Sequence, residues 1–433
     1  VDLTSWLLRR TPVRPLIAAT PGGAGARLAA EREARIRGWR LALSPAEATM
    51  LIVAGPQDES MAAAVETVWR QMPFPRSRAE FAEAADVVTA LAEAEARLRS
   101  AEHQRREAAR GGDAQHGSHH QDASGSPEHA HHGSGEAGGG QSAPPSHHEH
   151  MYAPPEDHDR GHRPHDEHAH HDHDSEDMRE QHDHHADEHP GDHTALEHDH
   201  GGHMQHGGHA GHDMGGMEMP GDIPMADRAP DRDGLQLDRL TVQLGPILPA
   251  WPDGLVVRVA LQGDVIQEAA VETNGSQDVA EPFWQSLEDG VPRDAARRLD
   301  SCYRLLTVAG WEQAADTAAR MRDLVLAGER ISAEFHRWAR RVRRSRILRW
   351  SLSGLGEIDW VDSPATGDAL DRLTRWIDDA EAELGSGEPV PDEDPARILE
   401  ALPELLIGTE FAGARLIVAS LDPDLERARV AHG

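Results

Sequence analysis

The sequence contains no lysine: all 43 of its basic residues are arginine, set against 76 acidic residues. It has a single cysteine, Cys302, only two tyrosines, and no run of about 18–20 uncharged apolar residues. Each scarcity excludes a class of protein. One cysteine cannot build a disulfide framework within the chain. Nor can it supply the roughly four ligands of a cysteine-held iron–sulfur cluster or a zinc ribbon. A net charge of −33 over 433 residues argues against nucleic acid as a partner. The missing apolar run, and the lack of a basic, apolar, small-residue leader, point to a soluble cytoplasmic protein.

What is present is unevenly distributed. Residues 111–235 hold 27 of the 30 histidines, no tryptophan, and 27 acidic against 5 basic residues, a local charge of −22. All ten tryptophans lie in the flanks, three before and seven after, and periodic apolar patterns occur only there. A stretch of His, Asp, Glu, Gly, Pro and Ser buries too little apolar surface to offset the entropy of ordering it. A long disordered His/Asp/Gly-rich linker, residues 111–235, is therefore expected between two folded units, residues 1–110 and 236–433. As a flexible coil it would span roughly 60 Å.

The linker has a chemistry of its own. His168, His170, His171 and His173, then His182, His184 and His185, then His198 and His200 lie one or two residues apart with carboxylates between them. His203, His206, His209 and His212 extend the series among Met204, Met214, Met217, Met219 and Met225. Imidazole suits nickel, zinc and copper, and thioethers favour copper(I). With three or four ligands per ion, such a tract would bind roughly six to nine exchangeable ions. The alternative is a soluble spacer. Protonating all 27 histidines would move the tract from −22 to about +5, so protons or metal ions are expected to compact it.

The N-terminal unit starts with a helix-prone segment, residues 3–10, and a short buried strand, residues 15–19. The turn that follows, Pro21, Gly22, Gly23 and Gly25, meets neither the dinucleotide-binding nor the P-loop glycine spacing and is a weak phosphate signal. Residues 39–43 read as extended. The apolar run 50–55, closed by Gly55, reads as a strand buried on both faces, and residues 61–72 have helical spacing. Strand, loop and helix in that order predict an α/β domain on a parallel sheet. Residues 78–99 read as one charged, alanine-rich helix.

Within this unit Ser44, Pro45, Ala48, Val53, Ala54, Gly55, Met61, Ala62, Val65, Trp69, Gln71, Met72, Pro75 and Arg76 hold an ungapped spacing over more than thirty residues. The stretch resembles the small iron–sulfur subunit of respiratory complex I and the small subunits of nickel–iron hydrogenases. The resemblance implies a small-subunit-like α/β domain and a terminal four-iron cluster held by four cysteines. Here Gly23, Ala24, Gly25 and Ala26 stand where the first pair is implied, and past Arg76 the chain enters the predicted helix rather than a cluster loop. No iron–sulfur cluster is expected.

In the C-terminal unit residues 237–246 alternate like a strand and end at Gly245-Pro246. Residues 255–266 form a β-branched ladder turning at Gly263-Asp264, as in a hairpin. Helical periodicity marks residues 295–308, 311–327, 332–352, 367–384 and 396–421. The expected fold is α+β, mostly helical with a small antiparallel sheet at its start. Gly245, Pro246, Pro249, Gly254, Arg258, Leu261, Gly263 and Asp264 resemble the start of the large, quinone-site subunit of complex I and the related hydrogenase large subunits. That resemblance implies a quinone-facing histidine at the position of Leu248, and leucine can donate neither a proton nor a hydrogen bond. The Asp422-Pro423 step resembles the hydrogenase tail, with Asp424 and Arg427 where nickel-binding thiolates are implied. Cys302 is expected to be a buried small hydrophobe.

Seven arginines fall within thirteen positions, from Arg337 to Arg349, among Trp338, Val342, Ile347 and Trp350. Arg337, Arg340, Arg341, Arg343 and Arg344 are candidate partner or lipid contacts. The readings are a solvated face balanced by the acidic stretch 371–383, a dock for an acidic subunit, or a contact with an anionic membrane surface.

The two resemblances imply a non-catalytic scaffold or accessory subunit of an assembly like NADH-quinone oxidoreductase or hydrogenase, partnered by its subunits and by divalent metal ions. A metal store or delivery protein for nickel, zinc or copper, docking on such an assembly, is a second class. An oxidoreductase subunit using clusters from partner chains is a third.

Overall fold

The computed structural model describes residues 3–117, 227–230, 236–274, 281–288, 290–386 and 392–430. All of these belong to one compact unit, in which the N- and C-terminal parts of the chain pack together. The linker histidines from His119 to His212 lie outside the described residues.

The N-terminal part follows from the two-residue period of its strands. Helix α1 (Leu3–Arg10) precedes strand β1 (Pro15–Ala19), helix α2 (Ala24–Ile36), β2 (Met50–Ala54), α3 (Glu59–Gln71), β3 (Ser77–Phe81), α4 (Val87–Leu98) and α5 (Ala101–Gly117). The three strands form a parallel sheet in the order β1-β2-β3. Every side chain of β2 is buried, as a central strand covered on both faces requires. Met50, Ile52 and Ala54 face a cluster with Ala26 and Ala30 of α2 and Leu91 and Leu98 of α4. Leu51 and Val53 face Leu16, Ala18 and Val65 on the other side.

Two local expectations change here. Residues 39–43 form a loop rather than a strand. Gly38, at φ +69°, ends α2, and Ala42 makes a single backbone bond to Pro15 O at 2.8 Å on the sheet edge. Residues 78–99 are not one helix, because Ser77, Ala79 and Phe81 alternate inward and pair with β2 before α4 begins. Arg78 and Glu80, which suggested a charged helix, are the less buried positions of that strand and pair with each other.

The C-terminal part opens with an antiparallel sheet ordered β4 (Asp227–Pro230), β5 (Gln236–Leu244), β6 (Leu255–Gln262) and β7 (Val265–Thr273). Strand β4 and the end of α5 fall inside the span read from composition as linker. Pairing of β4 to the edge of β5, with Arg228 opposite Asp238, is long-range and invisible to composition. Helices follow: α6 (Arg293–Val308), α7 (Glu312–Leu326), α8 (Ser332–Arg343), α9 (Arg346–Leu352), α10 (Ala369–Ser386), α11 (Pro395–Leu406), α12 (Phe411–Leu421) and α13 (Leu425–Val430). Two predicted long helices are broken. Ser345 caps α9 by accepting from Leu348 N at 3.3 Å, which separates α9 from α8. Between α11 and α12, Gly408 at φ +81° donates to Ile266 O at 2.8 Å, and Thr409 O accepts from Ile266 N, so the loop joins β7 instead.

Two cores result. One unites α6 to α10 around Leu299, Leu306, Phe335, Trp338 and Trp376. The other packs α11 and α12 on the sheet through Leu255, Val257, Ile266, Leu402 and Ile417. Cys302 is buried in the first core at 1% exposure, and burial pushes its thiol pKa far up.

Candidate functional site

The seam between the two parts is built from charge. On α2 the spacing of Arg27, Glu31 and Arg35, four residues apart, places all three on one face. That face meets α6 and α7. The Arg27 guanidinium donates to both oxygens of Asp300, at 3.3 and 2.6 Å, and to Glu31 at 2.8 Å. Arg322, fully buried on α7, donates to Glu31 at 2.8 Å, to Asp323 at 2.9 Å and to Asp300. Arg35 pairs with Asp323. Arg304 donates to the Trp251 carbonyl at 2.9 Å and lies 3.5 Å from Asp300 and 3.7 Å from Asp253. Arg27, Arg304 and Arg322 thus balance Glu31, Asp253 and Asp300 in a cluster with almost no access to water.

The electrostatics follow from that balance. Burial alone would raise the pKa of Asp300, but Arg27, Arg322 and Arg304 converge on it and hold it well below the usual carboxylate range. Glu31 is lowered in the same way, burial being outweighed by Arg27 and Arg322. Asp253 goes the other way: burial raises it, and the more distant Arg304 and Arg27 only partly compensate. Tyr303, next to the cluster, is raised by burial. The arrangement holds fixed charges in place.

A cavity of about 50 Å³ lies against this cluster, lined by Leu16, Leu41, Leu248, Tyr303 and Arg304 among others. A larger one of about 320 Å³ shares Leu41, Leu43, Tyr303 and Thr307 with it and extends to Trp39 and Asp316. Leu248, where the resemblance implies a quinone-facing histidine, therefore sits at the seam as an apolar wall.

The glycine-rich turn is occupied by the protein itself. A Cβ on Gly23 would come 2.2 Å from Ala54 O, and Gly55 takes φ +111° beside it, so the glycines serve the close approach of the turn to the end of β2. The N-terminus of α2 faces the Glu426 carboxylate, which accepts from the N–H of Ala24 and, at 2.8 Å, from that of Phe283. Burial raises the Glu426 pKa against those two bonds. Gly23, Ala24, Gly25 and Ala26 do not fit an iron–sulfur cluster: they carry no ligating side chain, and Phe283 and Glu426 close the space over them. Asp424 and Arg427 do not fit nickel. Asp424 accepts from Arg427 N at 3.2 Å, and the guanidinium of Arg427 pairs with Asp392.

Trp69, Met72, Phe74 and Arg76 form a structural clamp. The guanidinium of Arg76 lies 4.2 Å over Trp69 and 4.5 Å over Phe74 and donates to Met72 O at 3.0 Å, closing the end of α3.

The candidate arginines divide into two groups. Arg343 pairs with Asp378 and, at 3.0 Å, with Glu381 of α10, as a balanced face would. Arg341 donates to Gln313 at 2.9 Å and stacks 5.2 Å over Trp311. The side chains of Arg337, Arg340 and Arg344 are exposed and make no ion pair or hydrogen bond among the described residues. The histidines from His168 to His212 lie outside those residues, and among the described residues no group of His, Cys, Asp and Glu is placed to hold a metal ion. No described helix is long and apolar enough to cross a membrane.

Sequence reading missed the seam. Its trace is the run of charges at Arg27, Glu31 and Arg35, matched by Asp300 in a helix, α6, that buries charged side chains along with its apolar ones. Compared with known proteins, the chain matches no family model and no curated protein.

Proposed function

We propose that the protein is a non-catalytic scaffold or accessory subunit of a complex I-like or hydrogenase-like assembly. The observation that carries this reading is the meeting of the two stretches that bear the resemblances. Ile247, in the large-subunit-like turn, packs against the cluster that holds Leu16, Ala18 and Val53 of the small-subunit-like sheet, and the Arg27–Asp300 pair joins the two parts as well. Two subunits that pack together in the family would correspond here to two parts of one chain. The warrant is an analogy of fold and motif, strengthened by that contact.

The His-rich tract supports a second role, as an exchangeable store for nickel, zinc or copper attached to that scaffold. Affinity purification of the full chain from its native host, with identification of co-purifying subunits and metal and iron–sulfur analysis of the same sample, tests both. Oxidoreductase-type subunits in the eluate are expected; recovery of the chain alone under several mild conditions overturns the scaffold reading. Deleting residues 111–235 separates the roles. Loss of assembly only under metal limitation favours the store, and unchanged assembly and metal dependence make the tract a spacer.

A further inference from the structure

The surface formed by α8 and α9 carries cations whose side chains have no partner among the described residues. The side chains of Arg337, Arg340 and Arg344, and of Arg346 and Arg349 on α9, are exposed and have no ion pair or hydrogen bond among the described residues. His336, Arg340, Arg343, Arg344 and Glu381 line a shallow groove of about 480 Å³. Arg344 leads through Ser345 directly into α9, where Ile347 is 78% and Trp350 86% exposed, one turn apart. The opposite side of α9, Leu348 and Leu352, is buried, so the helix is anchored and its apolar pair projects.

We propose that this face seats the protein on an anionic lipid bilayer, with the groove taking a lipid phosphate and Trp350 and Ile347 entering the headgroup layer. Guanidinium pairs bidentately with phosphate, and tryptophan beside arginine is the side-chain pairing of a membrane–water interface. An acidic protein fits less well. A stable protein interface buries roughly 1,200 Å² or more around an apolar centre, whereas here two isolated apolar side chains project from a single short helix among dispersed charges. The net charge of −33 does not forbid contact, since repulsion from distant carboxylates is screened beyond about 8 Å at physiological salt. This inference rests on the α8–α9 surface alone and is independent of the scaffold reading.

The test is co-sedimentation of the purified full chain with vesicles of phosphatidylcholine alone, or with about a third phosphatidylglycerol. Binding is expected only to the anionic vesicles, weakening as salt rises to about 0.5 M. The triple variant Arg340→Ala/Arg344→Ala/Arg349→Ala is expected to bind about a hundred-fold more weakly, at about five-fold per arginine. Trp350→Ala is expected to lose about ten-fold while circular dichroism stays unchanged. Equal binding to both vesicle types, or undiminished binding by both variants, overturns the proposal. So does failure of the wild type to sediment with anionic vesicles; if polyglutamate is then retained by the wild type and not by the triple variant, the face belongs to an acidic protein.

Discussion

Asp300 lies on α6 between Leu299 and Ser301, in a helix most of whose residues are buried, and three guanidiniums keep it charged there. Removing one partner of such a group strands the others without water, which costs far more than the pair contributes over an apolar substitute. Asp300→Ala is therefore expected to destabilise the protein by about 3–5 kcal/mol in urea denaturation. Its pH dependence has a definite sign. Because the folded-state pKa is lowered, the stabilisation is complete above the unfolded value of about 4 and is lost as pH falls toward the folded value. The stability gap between wild type and Asp300→Asn should be full at neutral pH and narrow below about pH 4. A gap that stays constant down to pH 2 would show that the Asp300 charge is not what joins the seam.

At the scale of elements, the turn from β1 to α2 shows how a glycine pattern can serve packing instead of ligand binding. Gly55→Ala would place a Cβ 2.4 Å from Thr20 Oγ1 and 2.5 Å from Gly23 Cα, at φ +111°. A cost of at least about 1–3 kcal/mol is expected, read as a lower midpoint of thermal unfolding. Gly408→Ala, with open space around its Cβ position and φ +81°, should cost only its backbone strain. If the two variants were equally affected, close approach at Gly23 and Gly55 would not be the reason for glycine there. The α8–α9 break has a comparable local cause, a serine cap, and Ile347 and Trp350 stand exposed on the helix that begins there.

For the whole molecule, the described body and the His-rich tract answer different variables. The body holds buried, paired charges at the seam of α2, α6 and α7. The tract's charge of −22 belongs to residues that protons and metal can neutralise. Calorimetric titration of the full chain with nickel or zinc at neutral pH is expected to give roughly six to nine exchangeable sites. Those sites should vanish near pH 5, where imidazole is protonated, and in the chain lacking residues 111–235. Retention of all sites in the deletion would move metal binding onto the folded body.

Much of the body was legible before any coordinate. The all-apolar run of β2, the alternation of β5, the β-branched ladder of β6 and the three-to-four periodicity of α6 and α7 are displayed directly by a sequence. The lone cysteine likewise limited by itself which metal clusters the chain could hold. Tertiary structure alone decided the rest: where the long helices break, that 77–81 is a strand, and that Arg27, Glu31, Asp300 and Arg322 form one cluster across nearly three hundred residues of sequence. It also decided which arginines are spent on α10 and Trp311 and which have no side-chain partner among the described residues. The physical reason is the same in each case. Apolar burial leaves a periodic trace within a single element, whereas the pairing of charges and the satisfaction of backbone groups depend on which distant segments are brought together.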